Sequence, residues 1–319
     1  MKKLSFVTLL IGLILGGITP TFSQNDNSFY HEVKTYVNPV LPGDHPDPTL
    51  LKVGDDFYHC GSSFHFTPYM PIYHSKDLVH WRVISRVLPP QKAHWVTDRP
   101  SAGTWQGAIT YFYGSYWIYF SANGQWFSKA DSPLGPWSEP VQVKSNPKTG
   151  PLGYDNSIFV DDDGKAYHVF SSEENLTLHL AELTPDYLGH TGKFIRIYVG
   201  HQTEAPALFK KNGTYYMIGS GCTGWAPNAA RWFKASSIWG PWNYMGNPCQ
   251  GEGANITFGG QSTHVLPVPG KKGEFIFMAD KWAPKNAIDG RYLWLPIKFE
   301  NDKISISWAD EWDLSVFKK

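Results

Sequence analysis

The sequence is poor in charge, and it carries no excess of either sign. Of its 319 residues only 18% are charged, below the roughly 25% of an average soluble domain. Lys and Arg together number 28, as do Asp and Glu, so the formal net charge is zero. Without a basic excess or a basic stripe, no nucleic-acid partner is expected. Beyond the N-terminal segment no apolar run is long enough to span a bilayer, so no membrane span is expected either.

Cysteine is also scarce, with three residues at Cys60, Cys222 and Cys249. An odd number of cysteines does not make a disulfide framework, and a chain of this length can build a core without one. Cys222 and Cys249 could pair in an oxidising compartment, and the sequence leaves that pairing open. No Cys-x-x-Cys motif or Cys/His spacing indicates zinc.

Aromatic residues, glycine and proline are abundant. Trp, Tyr and Phe number 14, 17 and 19, and the chain has 30 Gly and 24 Pro. This composition excludes disordered, coiled-coil and collagen classes, and it has too many turn residues for a helical bundle. No segment after residue 30 shows a long helical period. The composition therefore indicates a turn-rich, all-β protein.

The N-terminal segment has the pattern of a secretory signal. Lys2 and Lys3 precede an apolar run at residues 4–18, which is followed by small and polar residues. The run is short of the ~18–20 apolar residues of a membrane anchor. We therefore predict a signal peptide over residues 1–23, a short linker over residues 24–33, and a periplasmic or secreted mature protein.

A glycine followed by an aromatic or apolar strand recurs five times. Successive repeats are 60, 50, 49 and 60 residues apart, and their glycines are Gly54, Gly114, Gly164, Gly213 and Gly273. Repeats of this length, each a small antiparallel sheet, predict the blades of a propeller. A β-sandwich, the rival fold, would not repeat at this period. We predict an all-β, five-bladed β-propeller forming a single domain over residues 34–319. Residues 308–317 are expected to close the ring against the strand near residues 34–41.

The first strand of each blade lines the axis of a propeller, so matching positions on those strands meet at one end. The anchor residue of each repeat lies three positions after its glycine, or four in the first repeat, and the five anchors are Tyr58, Trp117, Tyr167, Tyr216 and Ile276. Counting back twelve positions from each anchor, or eleven in the first repeat, marks five matching positions. They are Asp47, Trp105, Asp155, Glu204 and His264. We expect these three carboxylates, the indole and the imidazole to surround one pocket floor.

A lone acidic residue is more often a turn or capping residue than a catalytic one. The aspartates at positions 161–163, directly before a glycine, fit that ordinary explanation. Asp47 lies between two prolines and Glu204 begins an apolar strand, where charge is excluded unless it has a purpose. His264 on its own would be interpreted as a core histidine.

Three clustered carboxylates surrounded by aromatic residues suit glycoside cleavage. The reaction needs one protonated acid at the leaving oxygen and one carboxylate on the opposite face of the sugar. Like charges resist joint ionisation, so clustering raises at least one pKa. Aromatic faces pack against the apolar faces of sugar rings. The pattern predicts an enzyme that acts on an oligosaccharide or polysaccharide.

Four segments of the chain resemble motifs of glycoside hydrolase family 43. They are residues 38–49, 73–81, 155–165 and 204–207, and the resemblance extends over nearly all of the mature chain. It implies a five-bladed propeller and hydrolysis with inversion. By that resemblance Asp47 is the general base, Glu204 is the general acid, and Asp155 tunes the pKa of the acid and orients it.

The same resemblance assigns two further residues. Arg291 matches a substrate-binding arginine, with a surface salt bridge as the alternative. His264 matches a central histidine that in many members faces a calcium ion or a water cluster. The resemblance thus implies calcium as a structural or tuning ion, and no cofactor is required for the chemistry.

The two halves of the chain are similar to different branches of the family. The front half is similar to branches acting on xylosides and arabinofuranosides, whereas residues 224–228 and 291–296 are closer to galactan-directed branches. In the exo-β-1,3-galactanase branch the first Asp can be absent, and a Gln near the His264 motif is implicated. This chain has both Asp47 and Gln261, so we keep Asp47 as the base and predict Gln261 as a substrate contact.

Aromatic side chains are predicted to form the walls of the pocket. The candidates are Phe64, Trp105, Trp225 and Trp294. Packing inside a blade is an equal alternative for Trp294, whereas Trp225 lies in a Gly/Pro/Asn loop with less core to enter. Long loops at residues 86–104 and 220–230 favour a walled pocket and exo action.

Together these features predict an inverting exo-glycosidase. It would remove terminal arabinofuranosyl or galactosyl/galactofuranosyl units from plant or microbial polysaccharides, such as arabinogalactan-type side chains. A β-xylosidase and a non-catalytic carbohydrate-binding propeller remain alternatives. The motifs of the related retaining, sucrose-type enzymes are absent from the sequence. Oligomeric state is not determined by it.

Overall fold

The described part of the chain is almost entirely β-structure. The computed structural model describes residues 35–38, 41, 45–62, 70–87, 104–121, 124–144, 155–283, 285–286 and 290–317. The predicted signal peptide and linker lie outside these residues, as does Phe64, so those assignments stay predictions. Within the described residues, no helix is both long enough and apolar enough to cross a membrane.

Twenty-three strands occur in the described residues, and most belong to five sheets. A short strand, β1 (Tyr36–Val37), comes first. Blade 1 consists of β2 (Thr49–Val53), β3 (Asp56–Cys60), β4 (Pro71–Ser75) and β5 (Arg82–Arg86). Blade 2 consists of β6 (Trp105–Phe112), β7 (Ser115–Ser121), β8 (Gln125–Ala130) and β9 (Val141–Gln142). Blade 3 consists of β10 (Asn156–Val160), β11 (Ala166–Ser172), β12 (Thr177–Leu183) and β13 (His190–Ile197).

Blade 4 consists of β14 (Thr203–Lys211), β15 (Thr214–Gly221), β16 (Arg231–Ala235) and β17 (Asn243–Tyr244). Blade 5 consists of β18 (Cys249–Gln250), β19 (Gln261–Pro267), β20 (Phe275–Lys281), β21 (Arg291–Glu300) and β22 (Lys303–Ser307), and β23 (Glu311–Trp312) follows it. Two 3-10 segments, Ala254–Gly259 and Leu314–Phe317, complete the described elements.

The five sheets follow a propeller arrangement. In blades 1 to 4 neighbouring strands are antiparallel and follow chain order, whereas in blade 5 the order is β18-β22-β21-β20-β19, with β18 parallel to β22. The innermost strands, which are the first strands β2, β6, β10 and β14 of blades 1 to 4 and β19 as the first strand of the main sheet of blade 5, contact one another in turn around the ring. The repeated glycines lie between the first and second strands of their blades, and Gly114 and Gly213 have φ of 75° and 80°. The prediction of a five-bladed propeller is confirmed.

Apolar side chains fill the space between each pair of neighbouring blades. Five buried clusters join blades 1 and 2, 2 and 3, 3 and 4, 4 and 5, and 5 and 1. Because a blade is covered on both faces, its middle strands are buried along nearly their whole length, as in β7 and β15. Trp294 is fully buried in the cluster that joins blades 5 and 1. It therefore packs in the core between these two blades and does not form a wall of the pocket.

The two ends of the propeller pair with each other. β1 is antiparallel to β23, with Tyr36 opposite Trp312. The amide of Asn38 donates to the carbonyl of Asp310 at 2.8 Å, and its side-chain Nδ2 donates to the carbonyl of Trp294 at 2.9 Å. The predicted pairing of residues 308–317 with residues 34–41 is confirmed.

All three cysteines of the chain lie in the described residues, and each has a free thiol. Cys60 is buried between blades 1 and 2, and Cys249 between blades 4 and 5. Cys222 is half-buried at the end of β15, so the pairing with Cys249 that the sequence left open is not formed.

Candidate active site

A cavity of about 260 Å³ lies at one end of the ring of first strands. Its lining residues are Asp47, Trp105, Asp155, Glu204, Gly224, Trp225, Gln261 and Trp282. Four of the five matching positions marked in the sequence are therefore brought together. The acids are remote along the chain, yet they meet because each lies at the start of the first strand of its blade.

The fifth matching position is Gln261 and not His264. Trp105 and Glu204 each pair with the residue 16 positions later, on the second strand of the blade, whereas Gln261 pairs with the residue 19 positions later. The longer separation arises because the turn between β19 and β20 spans residues 268–274. Counting back from the second strand across this longer turn therefore gave a position three residues too late. His264 pairs with Met278 further along the strand and does not line the cavity.

The Glu204 carboxyl is held by donors on both oxygens. Gln261 Nε2 donates to Oε1 at 2.8 Å, and Asn175 Nδ2 donates to Oε2 at 3.2 Å. The Cys222 thiol also hydrogen-bonds this carboxyl. Burial raises the pKa of Glu204, while the three hydrogen bonds act in the opposite direction. The net raised pKa keeps a proton available on this carboxyl at a higher pH than on an exposed glutamate.

Asp155 lies beside Glu204. Burial, followed by the charges of Glu204 and Asp47, raises the pKa of Asp155 well above its ordinary value. Its Oδ2 accepts a hydrogen bond from the amide of Ala205 at 2.7 Å. Ala205 directly follows Glu204 and has a left-handed φ of 54°. Asp155 thus supports the backbone geometry next to Glu204.

Asp47 is held by contacts from two blades. The Ser62 hydroxyl donates to its Oδ2, and its own backbone amide donates to Asp280 Oδ2 at 2.5 Å. Asp47 has a φ of 52°, which is a strained conformation for a residue with a side chain. Asp280 is a fourth carboxylate at this site, and sequence reasoning missed it. The signal that could have found it is a charged residue inside the apolar strand β20.

Two tryptophans form one side of the cavity. Trp225 is 42% exposed, and its ring meets that of Trp282 edge to face, with 5.0 Å between centroids. Trp282 Nε1 donates to Gln261 Oε1 at 3.2 Å. Trp225 and Trp105 therefore line the cavity where the sequence predicted walls, and Trp282 is a wall that sequence reasoning missed. Trp282 follows directly after β20, which pairs with the strand of Gln261.

Arg291 and His264 lie outside the lining of the cavity. Arg291 opens β21 opposite Lys281, and its predicted substrate contact stays a prediction. Burial lowers the pKa of His264 to about 4, so its imidazole is neutral at neutral pH.

The described residues do not form a protein cage for a metal ion. Calcium prefers six to eight oxygen ligands, and His264 offers a nitrogen. Among the described residues no group of three or more His, Cys, Asp and Glu is placed to hold a metal. Calcium at His264 therefore stays a prediction.

The sequence is similar to a family of glycosidases and to individual members of it. The profile described as "Glycosyl hydrolases family 43" matches residues 36–264, which include all three predicted catalytic carboxylates. A xylan 1,3-β-xylosidase from Vibrio sp is 31% identical over 230 residues, which are 65% of this chain and 42% of that protein. A non-reducing end α-L-arabinofuranosidase from Bacteroides ovatus is 31% identical over 226 residues, 66% of this chain and 40% of that protein. The chain thus spans about four tenths of the length of these two relatives.

Two solved structures with the same fold are a β-1,3-galactosidase and an exo-β-1,3-galactanase. A GH43 β-1,3-galactosidase with galactodeoxynojirimycin has a TM-score of 0.76 and 34% identity, and the match covers 87% of this chain and 99% of that one. An exo-β-1,3-galactanase from Clostridium thermocellum has a TM-score of 0.74 and 27% identity, with 88% of this chain and 66% of that one covered.

Proposed function

The chain belongs to glycosyl hydrolases family 43, and from this premise we propose that it is an inverting exo-glycosidase that releases terminal galactosyl units from β-1,3-linked galactan. The observation that carries the proposal is the meeting of Asp47, Asp155 and Glu204 in one cavity. The choice of sugar is supported by the likeness to a β-1,3-galactosidase over 99% of that chain.

Each carboxyl has a role that its surroundings support. Glu204, with its raised pKa, donates its proton to the glycosidic oxygen as the bond to the anomeric carbon breaks. Asp47, oriented by the Ser62 hydroxyl, takes a proton from the water that attacks the opposite face of the sugar. Asp155, whose own pKa is raised well above the ordinary value, adds negative charge beside Glu204 while it is ionised and thereby favours the protonated acid.

The size of the cavity supports action at a chain end. Its volume of about 260 Å³ is below the roughly 300–1,000 Å³ of pockets that hold drug-sized ligands. A pocket of this size suits one terminal sugar, with the exposed ring of Trp225 available to an apolar sugar face. Gln261 lines the same pocket, but its amide nitrogen is engaged by Glu204 and Ser220. We therefore assign Gln261 to orienting the acid as well as to contacting the sugar.

A second candidate function is release of terminal arabinofuranosyl or xylosyl units. It is favoured by the identity of 31% to the xylosidase and the arabinofuranosidase, although the chain spans only about four tenths of each. The cavity chemistry is the same for both candidates, so the substrate distinguishes them.

The test is a comparison of substrates with the purified protein. β-1,3-Galactan, β-1,3-galactobiose, and the para-nitrophenyl β-D-galactopyranoside, β-D-galactofuranoside, α-L-arabinofuranoside and β-D-xyloside are incubated with wild type and with Glu204→Gln. We expect galactose from the galactan and the galactobiose, formed first as the α anomer by proton NMR, and none from the variant. Hydrolysis of only the arabinofuranoside or the xyloside would establish the second candidate.

Other outcomes would overturn the proposal in different ways. A β anomer formed first would contradict inversion. Sugar binding without hydrolysis of any substrate by wild type would establish the non-catalytic propeller.

We also propose that the mature protein is exported to the periplasm or secreted. The support is the run of Lys2, Lys3 and apolar residues 4–18 at the N-terminus. N-terminal sequencing of the protein recovered outside the cytoplasm should start near residue 24. Recovery of the full-length chain from the cytoplasm alone would contradict export.

A further inference from the structure

The Glu204 carboxyl receives hydrogen bonds from three different blades. Gln261 reaches it from blade 5, and Cys222 reaches it from the end of β15 in its own blade. Asn175 reaches it from the turn between β11 and β12 in blade 3. Asn175 lies on a turn, and not on one of the first strands that begin at the cavity. Its position beside Glu204 therefore needs a separate explanation.

The turn that carries Asn175 has an unusual backbone. Glu173, Glu174 and Asn175 all have left-handed φ values, of 55°, 58° and 62°. Residues other than glycine raise the free energy of the folded protein in this conformation, and they keep it only where the surrounding contacts hold them in place. Three such residues in succession place the Asn175 amide against the acid.

Glu173 anchors the base of this turn. Its carboxylate accepts from Arg196 Nη2 at 2.5 Å and Nε at 2.7 Å, and the Thr177 hydroxyl donates to it at 3.0 Å. His179 Nε2 lies 2.9 Å from the same carboxylate. These contacts, led by that of Arg196, lower the pKa of Glu173 to about 2, so it stays ionised and paired. The turn is therefore built as a rigid support.

Asn175 and Cys222 form one unit around Glu204. Cys222 Sγ lies 3.8 Å from the carbonyl oxygen of Asn175 and also contacts Glu204, so these two acceptors share its single S–H proton. Burial, with the nearby charge of Glu204, raises the pKa of this thiol to about 12, so it keeps its proton and acts as a donor.

We propose that Asn175 is a positioning residue for the general acid, and that its amide and the Cys222 thiol hold the Glu204 carboxyl in the orientation that protonates the leaving oxygen. This inference rests on the proposed function. When the proton moves from Glu204 to the glycosidic oxygen and the bond to the anomeric carbon breaks, a carboxylate is left behind. Donors already aimed at that carboxylate stabilise it without rearrangement in the transition state.

The inference predicts the direction of a change in pH dependence. The groups that face Glu204 are the carboxyl of Asp155 from β10 and the donors Gln261, Asn175 and Cys222. Hydrogen bonds from the donors lower the pKa of Glu204 against the effect of burial. Removing one donor raises that pKa, so the alkaline limb of kcat/KM, which reports the acid in the free enzyme, moves to higher pH.

The first experiment compares Asn175→Ala with Asn212→Ala. Asn212 is a matched control because it also has a left-handed φ, of 50°, in an exposed hairpin turn of blade 4 that does not line the cavity. For Asn175→Ala we expect kcat on β-1,3-galactobiose to fall about tenfold, which is a part of the 10²–10⁴-fold that general acid catalysis contributes in total. On 2,4-dinitrophenyl β-D-galactopyranoside, whose leaving group needs little protonation, we expect a much smaller fall. Asn212→Ala should match wild type on both.

The thiol gives an internal comparison at the same site. Cys222→Ser keeps a donor near Glu204, whereas Cys222→Ala removes it. We expect the alkaline limb to move to higher pH in Cys222→Ala and in Asn175→Ala, and to stay near that of wild type in Cys222→Ser. Equal losses on both leaving groups together with an unmoved alkaline limb would overturn the inference, because that is the result of a merely structural role.

A readout without activity separates this inference from the proposed function. Titration of ¹³C-labelled glutamate carboxyls by NMR, with the Glu204 signal assigned from Glu204→Gln, follows the acid directly. An upward shift of its titration in Asn175→Ala, in a protein that hydrolyses none of the sugars, would support the donor contact while the proposed function fails. An unchanged titration would refute the inference whatever substrate the enzyme uses.

Discussion

The backbone amide of Asp47 donates a hydrogen bond to the carboxylate of Asp280, with 2.5 Å between the nitrogen and Oδ2. Asp47 precedes the first strand of blade 1, and Asp280 lies on β20 in blade 5 and is 2% exposed. The contact therefore crosses the seam between the first and last blades, which the pairing of β1 with β23 also closes. Closure of the ring and placement of the proposed base are physically connected.

We expect Asp280→Ala to lower kcat more than it changes KM. The substitution leaves the partly buried Asp47 amide without its acceptor, at a cost of at most about 1–3 kcal/mol, and releases the strained backbone that aims the base. Asp280→Asn keeps an acceptor oxygen and should lie between Ala and wild type. Steady-state kinetics and thermal unfolding measure both effects, with the exposed Asp302→Ala as the control. Identical kcat in the Ala variant and wild type would contradict the role.

We expect Trp225→Ala to raise KM by about threefold to tenfold while kcat changes less. Its exposed ring offers stacking worth about 0.5–1.5 kcal/mol to a bound sugar. Kinetics on β-1,3-galactobiose would show the effect, and Tyr113→Ala, an exposed aromatic that does not line the cavity, serves as the control. An unchanged KM would exclude the ring from the sugar site.

We expect Asp155→Asn to inactivate the protein and yet to stabilise it at neutral pH. Because the folded-state pKa of Asp155 is raised well above its ordinary value, the folded protein binds the proton more tightly than the unfolded chain. Asp155 therefore makes its full contribution to folding stability below its pKa in the unfolded chain, about 3.9. This contribution is lost as the pH rises through its pKa in the folded protein. The gain in Tm of the variant should be present at pH 7–8 and vanish near pH 4. A lower Tm of the variant at pH 8 would contradict the assignment.

We expect Trp294→Ala to destabilise the fold by about 3–5 kcal/mol. The indole is fully buried between blades 5 and 1, and its removal leaves a cavity beside Tyr36 and Trp312. Denaturant unfolding measures the loss, and Trp308→Ala, 36% exposed, should cost much less. Equal stability of the two variants would contradict core packing at position 294.

Much of the architecture could be read from the chain because a repeated blade leaves a repeated local pattern. The five glycine turns recur at nearly constant spacing, and four of them lie in hairpin turns that are short enough for counting to succeed. The count failed in blade 5 because its first turn is longer, so Gln261 and not His264 shares the position of Glu204. Pattern counting measures distance along the chain and is accurate only where the turns have equal length.

The residues that hold the acids left little trace in the sequence. Asn175, Asp280 and Trp282 lie on turns or on strands beyond the first of a blade, where no repeat marks them. Each reaches the cavity through a contact between blades, and such contacts depend on how neighbouring sheets twist and pack.

The amino-acid order alone determined that five similar sheets form and that three acids begin their first strands, because strand alternation, turn residues and repeat length are local properties. Only the tertiary structure decided which groups hydrogen-bond to those acids, that Trp294 is buried, and that the cysteines do not pair. Those outcomes depend on which residues lie close together across the interfaces between blades. Burial and hydrogen bonding require closeness in space, whatever the separation along the chain.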